Sequence, residues 1–157
     1  FVKSGRWPNV IVLRTFSKLY GLAGLRLGYG VMAARLADTL LRVKLPFSVN
    51  ALAEAAGIAA LDDEAFRSET ILTVVRGREM LTLNLVEAGF QVYPSQANFI
   101  MVKPPMPASE LFERLLRLGI IVRPLSSYGL TDLLRISIGN EAENEKLVTS
   151  IRQGLAS

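Results

Sequence analysis

The chain has 157 residues, 18 Lys+Arg against 14 Asp+Glu and a formal net charge of +4. Half of its residues are hydrophobic and a fifth charged, a globular composition rather than a disordered or fibrous one. Neither cysteine nor histidine occurs, which excludes disulfides, thiolate zinc sites, Fe–S clusters and every Ser-His or Cys-His nucleophile pair. Carboxylates are then the remaining metal ligands, and no cluster of them stands out, so no metal site is expected. At about 150 residues per domain the length corresponds to roughly one domain. No apolar run approaches the ~18 residues of a membrane span. The opening Phe-Val-Lys-Ser-Gly-Arg-Trp-Pro lacks a signal-type apolar stretch, so a cytoplasmic protein without membrane contact is expected. Lys44, Arg76, Arg78, Arg114 and Arg117 fall in helical patterns and are expected on solvated faces. No Lys/Arg block with interleaved aromatics points to nucleic acid. The mean hydropathy of +0.33 implies apolar surface that meets a partner subunit or more of the same protein.

In chain order, residues 10–13 form a short apolar, β-branched run that reads as a buried parallel strand. A stretch with Gly21, Gly24 and Gly28 follows, and 26–32 reads as a second strand. Helical spacing runs over 34–43 and stops before Pro46. Asn50 can cap the Ala-rich segment 51–61. Asp62, Asp63 and Glu64 place acid at the start of a long helix over 65–88, which Gly89 ends with a left-handed cap. Strands are expected at 90–93 and 98–102, joined by Pro94-Ser95-Gln96-Ala97. Pro104, Pro105 and Pro107 mark a linker, and Ser109 opens a helix ended by Gly119. Residues 120–123 and 133–138 read as strands, and Asn140 with Glu143 makes a capping box for the last helix.

The second half of this order makes a compact α+β unit. The first half does not, because two strands followed by three helices cannot form a covered parallel sheet. The chain therefore reads as the C-terminal part of a larger protein.

Chemistry concentrates in Thr15-Phe16-Ser17-Lys18-Leu19-Tyr20-Gly21-Leu22-Ala23-Gly24-Leu25-Arg26-Leu27-Gly28. Two hydroxyls, a lysine and an arginine share a glycine-rich loop at the end of a strand, where α/β proteins build sites. Arg26 offers a planar fork of donors suited to phosphate, and Ser17 and Thr15 offer short donors to the same oxygens. Lys18, between Arg14 and Arg26, is expected to be disfavoured as an ammonium by burial and like charge, the setting of a Schiff-base nucleophile. A surface turn with incidental basic residues is the competing interpretation. The segment matches neither the P-loop nor G-x-G-x-x-G.

Two further arginines stand out. Arg123 in Ile-Ile-Val-Arg-Pro and Arg135 in Leu-Leu-Arg-Ile-Ser-Ile lie on otherwise apolar strands. A charge there is costly unless it is paired or faces a ligand cavity. An internal salt bridge with Asp132 or Glu141 would equally account for them.

The Ser-Lys segment, with arginine eight residues after lysine, resembles the cofactor-lysine motif of fold type I pyridoxal-phosphate aminotransferases. The likeness continues through Pro46-Phe47-Ser48-Val49-Asn50, Pro94-Ser95-Gln96-Ala97-Asn98-Phe99, Gly119-Ile120-Ile121-Val122-Arg123-Pro124, Tyr128-Gly129-Leu130 and Leu134-Arg135-Ile136-Ser137-Ile138-Gly139. Together these resemble the histidinol-phosphate aminotransferase family. The resemblance implies an α/β fold: 1–63 as the end of a large pyridoxal-phosphate-binding domain, and 64–157 as a small C-terminal α+β domain reached through a long helix. It implies a transaminase of histidine biosynthesis acting on histidinol phosphate with glutamate/2-oxoglutarate, as a homodimer with small-molecule substrates. Lys18 would carry pyridoxal 5'-phosphate covalently and shuttle a proton. Ser17, Arg26 and more weakly Thr15 would bind its phosphate, and Arg123 and Arg135 would grip the substrate's phosphate or carboxylate. Phe47-Ser48, in place of the commoner Tyr-Asn, is similar to the threonine-phosphate decarboxylases. Aromatic aminotransferase activity and a noncatalytic anion-binding module also stay open. The acid that such enzymes set on the pyridine nitrogen, and the ring over the cofactor, would precede Phe1, so catalysis is expected to need upstream residues.

Overall fold

A computed structural model describes residues 6–156. Residues 1–5 and 157 lie outside the described residues, and with them Lys3 and most of the opening Phe-Val-Lys-Ser-Gly-Arg-Trp-Pro. Contacts divide the chain into two compact units, one up to Thr70 and one from Ile71 onward.

In the first unit, β1 (Val12–Thr15) and β2 (Gly28–Val31) form a two-stranded sheet. The expected buried parallel strand is instead antiparallel, pairing Val12 with Val31 and Thr15 with Gly28, and is largely exposed. The connection is a tight reversal rather than a crossover helix: the Gly21 N–H donates to the Lys18 carbonyl at 3.0 Å, and the Leu22 N–H to that of Phe16 at 3.1 Å. The second strand starts at Gly28, two residues later than expected, because Arg26 turns the chain at φ 55 behind a 3-10 turn, Ala23–Leu25. Helix α1 (Ala34–Val43) has the expected bounds. Helix α2 (Ala51–Asp62) starts where the Asn50 side chain accepts the Ala53 N–H at 2.9 Å. The Asp63 carboxylate does the same for the Phe66 N–H at 2.9 Å and opens α3 (Glu64–Glu87). The division between units falls inside this long helix.

The second unit pairs β3 (Gln91–Tyr93), β4 (Phe99–Lys103), β5 (Arg123–Leu125) and β6 (Leu130–Ser137) in the order β3-β4-β6-β5. All neighbours are antiparallel. The strand expected over 120–123 begins only at Arg123, because Ile120 is consumed in closing α4 (Ala108–Arg117). Its N–H donates to the Leu115 carbonyl at 2.9 Å while Gly119 sits at φ 73, a left-handed helix end. Helix α5 (Glu141–Ala156) carries the expected capping box. The Glu143 N–H donates to Asn140 Oδ1 at 3.0 Å, and the Asn140 N–H to Glu143 Oε2 at 2.8 Å.

One face of this sheet is closed. Ile100, Val102, Leu134 and Ile136 pack with Leu81 and Leu85 of α3, Leu111 and Leu115 of α4 and Ile151 of α5 in a single core. Two of the bases expected on solvated faces are tied to backbone carbonyls instead: Arg78 donates to Ala97 and Arg114 to Gly154, both at 2.8 Å. Long side chains can lie along apolar surface while their head groups satisfy exposed carbonyls, which helical periodicity does not reveal. Alternation in β4 and β6 sends the side chains of Phe99, Met101 and Arg135 to the sheet's other face.

Candidate active site

The site residues fall in two groups, one on each unit. In the first unit, antiparallel pairing of Thr15 with Gly28 and a hydrogen bond from the Phe16 N–H to the Leu27 carbonyl at 3.1 Å close the loop at its base. Thr15, Ser17 and Arg26 therefore leave the two strands at the same end. The approach is tight at Gly28, where a Cβ would sit 2.7 Å from the Arg14 carbonyl oxygen. Beneath the loop the Phe16 ring is buried against Tyr20 and Tyr29, at centroid distances of 5.0 and 5.8 Å. That anchor explains how an otherwise exposed loop keeps a defined shape.

Within the loop the Ser17 N–H donates to Thr15 Oγ1 at 3.0 Å, and the Thr15 hydroxyl donates to Ser17 Oγ at 2.8 Å. The Ser17 hydroxyl proton is left without an acceptor among the described residues. Arg26 bends back so that Nη1 donates to the Ala23 carbonyl at 2.7 Å, which fixes the guanidinium and leaves its remaining N–H groups available. Lys18 has no side-chain hydrogen bond or ion pair among the described residues. Its expected burial is not found: the side chain is exposed, because nothing in the first unit packs above the loop. A free hydroxyl donor, a fixed guanidinium and an uncommitted primary amine on one short loop fit a phosphate-bearing aldehyde such as pyridoxal phosphate.

The second group lies on the open face of the four-stranded sheet. Arg123 of β5 and Arg135 of β6 are direct register partners, so their side chains rise from one face. The salt bridges expected as their other explanation are not formed. Neither arginine is in an ion pair among the described residues, and Asp132 pairs with Lys103 at 3.2 Å instead.

Aromatic rings stand where carboxylates would complete those salt bridges. Arg135 lies over the Phe99 ring at 5.1 Å and Arg123 over the Tyr128 ring at 5.6 Å. Arg123 Nη2 also donates to the Tyr128 hydroxyl at 3.3 Å. Sequence reasoning assigned neither ring a role. The signal for Phe99 was its place two residues before Met101, which pairs with Arg135. The signal for Tyr128 was its place in the turn just beyond Arg123. Two unneutralised like charges held face to face are destabilising by themselves, and an arriving anion reverses that.

The model of the family described as aminotransferase class I and II matches residues 1–151. The chain belongs to that family. It is 57% identical over 147 residues to a histidinol-phosphate aminotransferase of Nitratidesulfovibrio vulgaris, covering 94% of this chain and 39% of that protein. It thus spans about two fifths of the length of the curated relatives it matches. The crystal structure of histidinol-phosphate aminotransferase from Sinorhizobium meliloti in complex with pyridoxal-5'-phosphate superposes with a TM-score of 0.83 at 32% identity, covering 95% of this chain and 42% of that one. L-threonine-O-3-phosphate decarboxylase from Porphyromonas gingivalis superposes with a TM-score of 0.76 at 25% identity, covering 96% and 48%. The expected fold class holds: a portion of the large α/β domain followed by a small α+β domain.

Proposed function

We propose that this chain carries the cofactor lysine and the substrate-binding arginines of a pyridoxal-phosphate-dependent transaminase acting on histidinol phosphate with glutamate/2-oxoglutarate, in histidine biosynthesis. The observation that carries the reading is the opposed Arg123–Arg135 pair without a carboxylate, in a chain 57% identical to a protein named for that substrate. Residues 1–63 are taken as the end of the cofactor domain and 64–157 as the small domain.

In this reading Lys18 Nζ is the amine that would hold the cofactor covalently. Ser17 Oγ and the Arg26 guanidinium hold its phosphate, with Thr15 fixing the Ser17 hydroxyl. When bound, pyridoxal phosphate supplies the electron sink for the pair left behind as the Cα–H bond breaks. Lys18 Nζ is also the group that would take up the Cα proton and return it. Arg123 and Arg135 orient the substrate by its far anionic end, the phosphate in one half-reaction and the carboxylate of glutamate in the other.

Exposed Leu13, Val43, Leu45, Phe47 and Leu52 supply apolar surface for a second subunit or for the rest of the protein, which supports a homodimer. No helix among the described residues is long and apolar enough to cross a membrane, and a cytoplasmic location accords with the proposed chemistry. A second reading, phosphate-ester amino-acid decarboxylation, is supported by the decarboxylase similarity and by Phe47-Ser48.

The test is borohydride reduction of the complete protein with pyridoxal phosphate, followed by peptide mapping. The label is expected on Lys18. A label on Lys44, Lys103 or Lys146 with Lys18 unmodified overturns the assignment, and no stable label at all leaves a noncatalytic anion-binding module. Conversion of histidinol phosphate with 2-oxoglutarate, against carbon dioxide release from a phosphorylated amino acid, separates the two enzyme readings.

A further inference from the structure

The 3-10 turn Ser126–Tyr128 joins β5 to β6 and brings the Tyr128 hydroxyl beside the arginine pair. A guanidinium has donors only, so in the 3.3 Å contact with Arg123 Nη2 the hydroxyl oxygen is the acceptor. Its own proton has no acceptor among the described residues. A hydroxyl that accepts from a cation is polarised and becomes a better donor. The ring is 62% exposed, so its placement owes little to burial and much to the arginine.

Three donor groups thus meet on one side of the sheet: two guanidinium forks and one polarised phenol. A carboxylate has two oxygens, which one guanidinium already engages in bidentate fashion. A phosphate monoester has three terminal oxygens, so each of three donor groups can engage an oxygen of its own, whereas on a carboxylate the third must share an oxygen already engaged.

We infer that Tyr128 is a substrate-binding residue whose hydroxyl donates to the third phosphate oxygen, and that it biases this face toward phosphate esters over carboxylates. This rests on the reading of Arg123 and Arg135 as the substrate-anion grip. The Phe99 ring under Arg135 is, on the same geometry, a positioning surface, and no hydrogen bond or ion pair commits that guanidinium among the described residues.

The experiment is an NMR titration of the protein with inorganic phosphate and, separately, with acetate, following the Nε–H signals of Arg123 and Arg135. Tyr128→Phe keeps the ring under Arg123 and removes only the hydroxyl. It is expected to weaken phosphate by about tenfold and acetate by less than about twofold. Tyr128→Leu also removes the ring and is expected to weaken both anions. Phosphate affinity unchanged in Tyr128→Phe, or equal losses for both anions, overturns the role of Tyr128 while responding arginine signals leave the anion grip standing. Arginine signals that ignore phosphate in the unaltered protein overturn the grip itself, and Tyr128 with it.

Discussion

The two units differ in what holds them. From Ile71 onward, Leu81, Leu111, Val102 and Leu134 are all at 0% exposure in one core. Up to Thr70, only Phe16, Ala53 and Gly57 are buried among the described residues, while Leu13, Val43, Leu45 and Leu52 are at least 74% exposed. Phe47 is 98% exposed with φ at 55, a left-handed conformation that disfavours bulky side chains. One unit is stabilised by its own packing. The other has secondary structure and caps but buries little of its own surface among the described residues, and the cofactor lysine proposed here sits in that less self-sufficient unit.

The largest effect expected to sharpen this contrast is in the core. Leu134→Ala deletes a fully buried side chain between the sheet and α4, and should cost about 2–5 kcal/mol by chemical denaturation. Leu52→Ala, at 79% exposure, should stay within about 0.5 kcal/mol in the same assay on this chain. Comparable losses from the two changes would mean that the first unit has a core after all.

The same contrast separates what was legible in the sequence from what was not. Caps and helix stops were legible: Asn50, Gly89, Gly119 and the Asn140–Glu143 box act through hydrogen bonds or backbone angles within five residues of themselves. The direction of β1 was not, since 10–13 is compatible with parallel or antiparallel pairing and the loop reversal decides it. Site residue types were legible as Lys, Ser and Arg near glycine. Their environment was not: Lys18 is exposed because nothing in the first unit packs above its loop, and the Phe99 ring reaches Arg135 only through the register of β4 on β6.

Arg26→Lys tests function without touching a core. The change keeps charge but loses the fork of donors, so affinity for pyridoxal phosphate should fall by about 1.5–3 kcal/mol in spectroscopic titration of the complete protein. Thermal stability without cofactor should hardly move, because Arg26 is exposed and among the described residues its side chain bonds only the Ala23 carbonyl. Unchanged affinity would place the phosphate elsewhere.

Gly77→Ala measures how close the packing is in the second unit. A Cβ there would lie 2.7 Å from both Asn144 Nδ2 and Ile138 Cγ2. Asn144 cannot easily give way, since its amide accepts from the Gly139 N–H and donates to the Gly139 carbonyl, both at 2.9 Å. A loss of about 1–3 kcal/mol in a denaturant titration is expected. A neutral result would show that the α3–α5 contact can spread without cost.

The smallest expected effect carries the sharpest sign. Arg123 faces Arg135 across β5 and β6 with no carboxylate partner among the described residues, so the pair repels in the absence of an anion. Arg123→Gln removes that repulsion. Thermal unfolding in a buffer free of phosphate and sulfate should therefore show stability unchanged or raised by up to about 0.5 kcal/mol, partly offset by the lost ring contact with Tyr128. In the complete protein the same change should raise the Michaelis constant for histidinol phosphate by roughly 10–150-fold, the scale of a lost charged hydrogen bond. Histidinol without its phosphate should be much less affected. Stability and substrate binding moving in opposite directions is the signature of a residue kept for a ligand at some cost to the fold. Stability falling together with activity toward both substrates would instead make Arg123 structural.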